Sequence, residues 1–164
     1  MNEKNSFFEN LYQVEKKGYV DLDELAKLEG IELIYSEHNR YKYEFAGLIK
    51  RIDGKYIIII NGDHPKNRQR FTLAHEIAHY FLHKDEIEEA AIVDDGLYRS
   101  GVADKIERAA NIFAAEILMP NNLIDFHMNN FQGSNTEEML VYVAKKLRVS
   151  QQALAIKMGI PFDN

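Results

Sequence analysis

The stretch Phe71-Thr72-Leu73-Ala74-His75-Glu76-Ile77-Ala78-His79-Tyr80-Phe81-Leu82-His83 decides how the rest of the chain is read. It holds the pattern His75-Glu76-x-x-His79. On an α-helix, residues four apart lie one above the other on the same face, about 6 Å apart. Two imidazoles so placed can reach one Zn²⁺ at roughly 2.0–2.1 Å. Glu76, beside the first imidazole, is then positioned to take a proton from a water on the ion. The surrounding residues are nearly all apolar, as in a buried helix. Two histidines and a glutamate buried together are costly unless something satisfies them, and a metal does so for the whole trio. A core histidine held by an ordinary hydrogen bond accounts for one of the three at most.

Outward from this helix, the bulk properties bound the class. A length of 164 residues fits one domain with a sizeable core. The formal net charge of −6 argues against non-specific attraction to nucleic acid or anionic membrane. There is no cysteine, which removes disulfides, thiolate metal sites and thiol nucleophiles together. The N-terminal residues lack a basic segment followed by an apolar one, and no run approaches 18 apolar residues. These features predict a cytoplasmic protein with no membrane association.

Periodicity and punctuation predict an α+β fold. Residues 5–17 carry apolar positions at helical spacing, with Gly18 as a stop. Asp21-Leu22-Asp23-Glu24 reads as a capping box for a second helix ending at Gly30. Strands are expected over residues 31–35, 43–52 and 55–60, the last two joined by the hairpin signal Asp53-Gly54. Together they predict a small antiparallel sheet. Residues 84–102, acidic and glycine-punctuated, read as a long loop; the carboxylates at 85, 86, 88, 89, 94 and 95 read as a solvated run rather than a site. Asp104 is expected to cap a helix reaching Met119, before Pro120. Helices over 121–129, from the box Ser134-Asn135-Thr136-Glu137 to about Leu147, and from Ser150 to Gly159 complete the chain. The resulting division is one domain over 1–164: N-terminal helices in 1–30, the sheet in 31–61, metal-site helices in 65–120 and a helical C-terminal part in 121–164.

A catalytic zinc needs three protein ligands and an open position. His83 is excluded if the helix continues, because positions 75 and 83 then lie about 12 Å apart along the axis. It reads as helix-end structure. Glu107 is the better candidate, far enough along for a loop and an antiparallel return helix. Ala103, Ala110, Asn111 and Ala114 share its face and allow a close approach. Asn111, one turn after Glu107, is placed to orient a ligand imidazole. Glu116 is the reserve ligand, near the far end of the same helix.

Residues 70–79 (Arg70-Phe71-Thr72-Leu73-Ala74-His75-Glu76-Ile77-Ala78-His79), with 107–120 (Glu107-Arg108-Ala109-Ala110-Asn111-Ile112-Phe113-Ala114-Ala115-Glu116-Ile117-Leu118-Met119-Pro120), resemble the ImmA/IrrE family of zinc metallopeptidases. The likeness spans roughly residues 20–160. It implies a zincin-like fold, His75, His79 and Glu107 as zinc ligands, and Glu76 as general base. It further implies an intracellular endopeptidase that cleaves a helix-turn-helix repressor and so derepresses phage, mobile-element or stress genes. The radiation-response members carry an additional C-terminal sensor-like domain; this chain ends too early for one, which makes the short mobile-element type the nearer match.

Zn²⁺ is the expected cofactor, with another divalent such as Mn²⁺ as the alternative. The donor that would assist the metal in stabilising an oxyanion is open among Tyr98, Arg99 and His127. The strand before the metal helix, residues 56–60, offers an edge to an extended substrate. The alternative readings are non-catalytic: a repressor-binding protein, or a DNA-binding regulator with a structural metal. Residues 144–157 have the rhythm of a helix-turn-helix, but its second helix offers only Gln151, Gln152 and Lys157, and packing on the core is favoured. The cluster Lys66, Arg68 and Arg70 reads as ordinary surface.

Overall fold

Four consecutive isoleucines, Ile57 to Ile60, form the middle of the sheet around which the fold is laid. A computed structural model describes residues 3–15, 18–36, 45–84, 87, 92–93 and 101–162. The elements in order are α1 (Glu3–Val14), α2 (Leu22–Leu28), β1 (Glu32–Ser36), β2 (Gly47–Ile52), β3 (Lys55–Asn61), α3 (Lys66–Leu82), β4 (Ile92–Val93), α4 (Gly101–Leu118), α5 (Asn121–Asn129), α6 (Thr136–Leu147) and α7 (Gln151–Met158).

The sheet runs in the order β1-β3-β2-β4. Asp53 and Gly54 both adopt positive φ (48° and 80°), the geometry of a tight hairpin turn, and set β2 antiparallel to β3 with Ile49 opposite Ile58. On its other side β3 pairs with β1 in parallel, Leu33 opposite Ile58. The α+β class stands, and the sheet is mixed where an antiparallel one was expected. Its cause is topological: the chain leaves β1, crosses to β2 and returns through the hairpin, so β3 slots between them running the same way as β1. This also corrects the reading of residues 56–60 as a substrate edge. With both ladder edges occupied, β3 is interior, and a strand covered on both faces reads as a continuous apolar run rather than an alternating one. The short strand β4, paired to β2 through Leu48 and Ile49, lies in the segment expected to be loop.

Tyr56, Ile58 and Ile60 share one face of β3, and α3 packs there through Leu73, Ala74, Ile77 and Ala78, all buried. The Tyr56 and Tyr80 rings meet edge-on at 4.9 Å. Fully burying each such Leu or Ile side chain contributes about 1.5–3 kcal/mol. Return helix α4 lies along α3, its Ala110 and Ala114 having no exposed surface, so small side chains set a close approach. Phe81 and Phe113 stack at 5.0 Å and Phe7 joins them at 4.4 Å, tying α1, α3 and α4 into one aromatic knot.

Local signals explain the helix ends. Asp21 accepts from the Glu24 amide and Ser150 from that of Ala153, as their spacing predicts. The cap of α6 is Asn135 rather than Ser134, accepting from the Glu138 amide at 2.8 Å. Asp104 sits inside the first turn of α4, which begins at Gly101 rather than after Asp104; there it still complements the helix dipole. The turn between α6 and α7 passes through Arg148 in the left-handed region. It is tied to the core by Arg70, whose guanidinium donates to the carbonyls of Arg148 (3.2 Å) and Val20 (3.1 Å). Lys157 of α7 pairs with Glu116 of α4. Among the described residues, no helix is long and apolar enough to cross a membrane.

Candidate metal centre

The middle of α3 carries three polar side chains with almost no exposed surface: His75, Glu76 and His79. They are buried because α3 is sandwiched between the sheet and α4. Glu107, one third of the way along α4 and about one-third exposed, meets both imidazoles. Its Oε2 is 3.1 Å from Nε2 of His75 and its Oε1 is 3.3 Å from Nε2 of His79. The two Nε2 atoms are 3.0 Å apart. The two nitrogens and the two carboxylate oxygens, one oxygen to each ring, thus bring the three residues together in a small triangle.

A tetrahedral ion with bonds of 2.0–2.1 Å has ligand atoms about 3.3 Å from one another. These separations, one carboxylate oxygen to each ring, come close to that value, and two imidazole nitrogens with one carboxylate are a donor set that zinc accepts. The residues therefore fit a divalent ion, and this is the group that could hold one among the described residues. Hydrogen bonding to His75 first, and to His79 next, holds the Glu107 carboxyl well below the usual carboxylate range, against the opposing effect of its partial burial.

The other ring nitrogens are also engaged. Nδ1 of His75 is 3.0 Å from Oδ1 of Asn111, one turn beyond Glu107 on α4. Nδ1 of His79 is 3.1 Å from Nδ1 of His83. Helix α3 ends at Leu82, and His83, at its C-cap, is buried rather than displayed.

Glu76 faces the sheet side of the helix, where Gly47 of β2 comes so close that a Cβ there would lie 3.3 Å from Glu76 Oε1. Gly47 was not singled out from sequence. The usable signal was a glycine inside a strand pattern, which marks a close approach by another chain segment.

The remaining candidates lie elsewhere. Glu116, the reserve ligand, is taken by Lys157 and is not part of the ligand triangle. His127 is buried in α5, with Nε2 donating to the Gly18 carbonyl, so it pins the α1–α2 turn. Tyr98, Arg99 and the acidic run at 85–95 lie outside the described residues or side chains, as does the Ala103 side chain. Arg70, read as plain surface, is half-buried and acts as the clasp described above.

A His-Glu-x-x-His helix seated on a small mixed sheet, with a carboxylate returning from the next helix, defines a zincin-like α+β protein with a candidate His-His-Glu metal site. Residues 26–158 match the family described as the IrrE N-terminal-like domain, and the chain belongs to that family. Similar proteins include "Metallopeptidase ImmA" of Bacillus subtilis, 31% identical over 88 residues, covering 54% of this chain and 48% of the relative. Two proteins named "Radiation response metalloprotease IrrE" are each 36% identical. The one from Deinococcus deserti aligns over 103 residues, 60% of this chain and 36% of the relative. That from Deinococcus radiodurans aligns over 94 residues, 57% and 28% respectively. The chain thus spans half or less of the length of these relatives.

Proposed function

We propose that this chain is a metal-dependent endopeptidase in which His75, His79 and Glu107 hold the ion and Glu76 is the general base. The observation that carries the reading is that His75 Nε2 and His79 Nε2, 3.0 Å apart, each meet one oxygen of the Glu107 carboxylate at 3.1 and 3.3 Å, with Glu76 buried on the same helix. Zn²⁺ is the ion this donor set suits best, with Mn²⁺ as the alternative. When bound, the ion lowers the pKa of a water toward about 7 and polarises the scissile carbonyl.

The residues of the chain do the rest. For His75 and His79 to offer Nε2, each ring must carry its proton on Nδ1, and Asn111 accepts the one from His75. Glu76 takes a proton as water attacks the carbonyl and returns it to the departing amine. Burial among apolar side chains excludes bulk solvent from this transfer.

The substrate proposed is a helix-turn-helix repressor, cleaved in the cytoplasm to switch on the mobile-element or stress genes it silences. This rests on the family resemblance and on relatives named as metallopeptidases. The DNA-binding alternative for residues 144–157 is weakened by the ties that hold α6 and α7 against the core, namely Arg70 to Arg148 and Lys157 to Glu116. The test is to incubate purified, zinc-loaded protein with a repressor encoded beside it. Cleavage by wild type, and loss of about 100- to 10,000-fold in Glu76→Gln with zinc retained, is the expected result. Equal cleavage by the variant overturns the assignment of the base; bound zinc without any product favours the non-catalytic binder.

A further inference from the structure

We infer that His83 is a positioning residue for the metal centre: its Nδ1 accepts a hydrogen bond from Nδ1–H of His79 and so fixes the tautomer and ring orientation in which His79 presents Nε2 to the ion. The inference rests on the metal-site reading above.

The geometry is specific. The two Nδ1 atoms are 3.1 Å apart, a normal hydrogen-bond length, and both rings are buried. Two neutral imidazoles can share that contact in only one sense, with one ring donating and the other accepting. If His79 is to give its Nε2 lone pair to a cation, its proton sits on Nδ1, so His79 donates. His83 must then accept at Nδ1 and carry its own proton on Nε2. The same rule, applied to His75, makes Asn111 the acceptor at 3.0 Å. Each ligand histidine thus has its own oxygen or nitrogen acceptor, one from α4 and one from the C-cap of α3.

The cap conformation of His83 fits this role. Its amide still donates to the His79 carbonyl at 2.8 Å, keeping the residue one turn beyond the ligand, while its backbone (φ −129°, ψ 38°) has left the helix. The side chain stays beside His79, the rings tilted by 50° with centroids 5.2 Å apart, without joining the ligand triangle. The residue is therefore outside the group of ligand atoms and well placed to aim one of them.

The experiment compares zinc affinity, by competition with a chromogenic chelator, in wild type, His83→Asn and His83→Leu. Asparagine puts an oxygen acceptor near the Nδ1 position, as Asn111 does for His75; leucine fills the space with no acceptor. His83→Leu should lose roughly 10- to 100-fold in affinity and His83→Asn should remain within about threefold of wild type. Thermal unfolding of the metal-free proteins separates this from a packing role, which would lower both variants' stability and leave zinc affinity unchanged. Nitrogen-detected NMR of zinc-loaded wild type gives an answer even if a variant fails to fold: His79 should be protonated at Nδ1 and His83 at Nε2. Equal zinc affinity in wild type and His83→Leu, or the opposite tautomers, overturns the inference while leaving the metal centre intact. Absence of zinc binding by wild type removes both.

Discussion

A Cβ added to Gly47 would lie 2.4 Å from Cγ2 of Thr72, a separation that packed atoms do not tolerate. The contact joins β2 to α3 one turn before His75, and the same added carbon would sit 3.3 Å from Glu76 Oε1. The absence of a side chain at position 47 is therefore what lets α3 rest at its present depth on the sheet.

Gly47→Ala is expected to destabilise the protein by about 1–3 kcal/mol, the usual cost of forcing extra volume into a packed core. It should also lower peptidase activity by shifting Glu76. Adding Thr72→Ser, which removes the offending methyl, should recover most of both losses. Thermal denaturation and activity of the two variants and the pair form a double-mutant cycle; additive penalties would mean that the two residues do not meet.

Arg70 links the α6–α7 turn to the core by donating to two backbone carbonyls, of Arg148 and of Val20. Arg70→Met keeps the bulk of the stem and removes both donors. A loss of about 1–3 kcal/mol is expected, with faster amide hydrogen exchange concentrated in α6 and α7. Exchange unchanged in those helices would show that other contacts hold the pair.

The Glu107 carboxyl is held below its ordinary range by the imidazoles beside it, His75 first. A depressed folded-state value means stability that is fully present above the unfolded value of about 4.5 and is lost as pH falls further, through the depressed folded value. In metal-free protein, the destabilisation caused by Glu107→Gln should therefore be constant between about pH 6 and 8 and shrink below about pH 4.5. Solvent screening at this partly exposed site keeps the effect small. Urea unfolding at several pH values measures it; a penalty that grows on acidification would contradict the assigned cause.

Much of this arrangement is legible in the sequence because the signals are local. The spacing of His75, Glu76 and His79 and the apolar residues around them point to a buried helix. Asp53-Gly54 fixes the hairpin, and Asp21 and Ser150 cap the helices they precede. The register of the sheet was less accessible. Whether β1 joins β3 in parallel depends on the path of the chain over many residues, and no short motif records it. The isoleucine run did carry the clue, since four in a row have no solvent face to alternate toward, yet it was read as an edge. His83, read as helix-end structure, is the C-cap of α3. Arg70 was underestimated for a related reason: it looks like an ordinary polar residue near a helix end, and its role depends on partners brought near by folding, the carbonyls of Val20 and Arg148. His127, a candidate donor by type alone, is held by the Gly18 carbonyl, 109 residues earlier in the chain.

Equilibrium dialysis of the purified protein against zinc, with metal content read by mass spectrometry in wild type and Glu107→Gln, tests the three-ligand centre most directly. One ion per wild-type chain and affinity weakened by roughly 10- to 100-fold or more in the variant is the expected result. No bound zinc in wild type, or undiminished affinity without the Glu107 carboxylate, would contradict it.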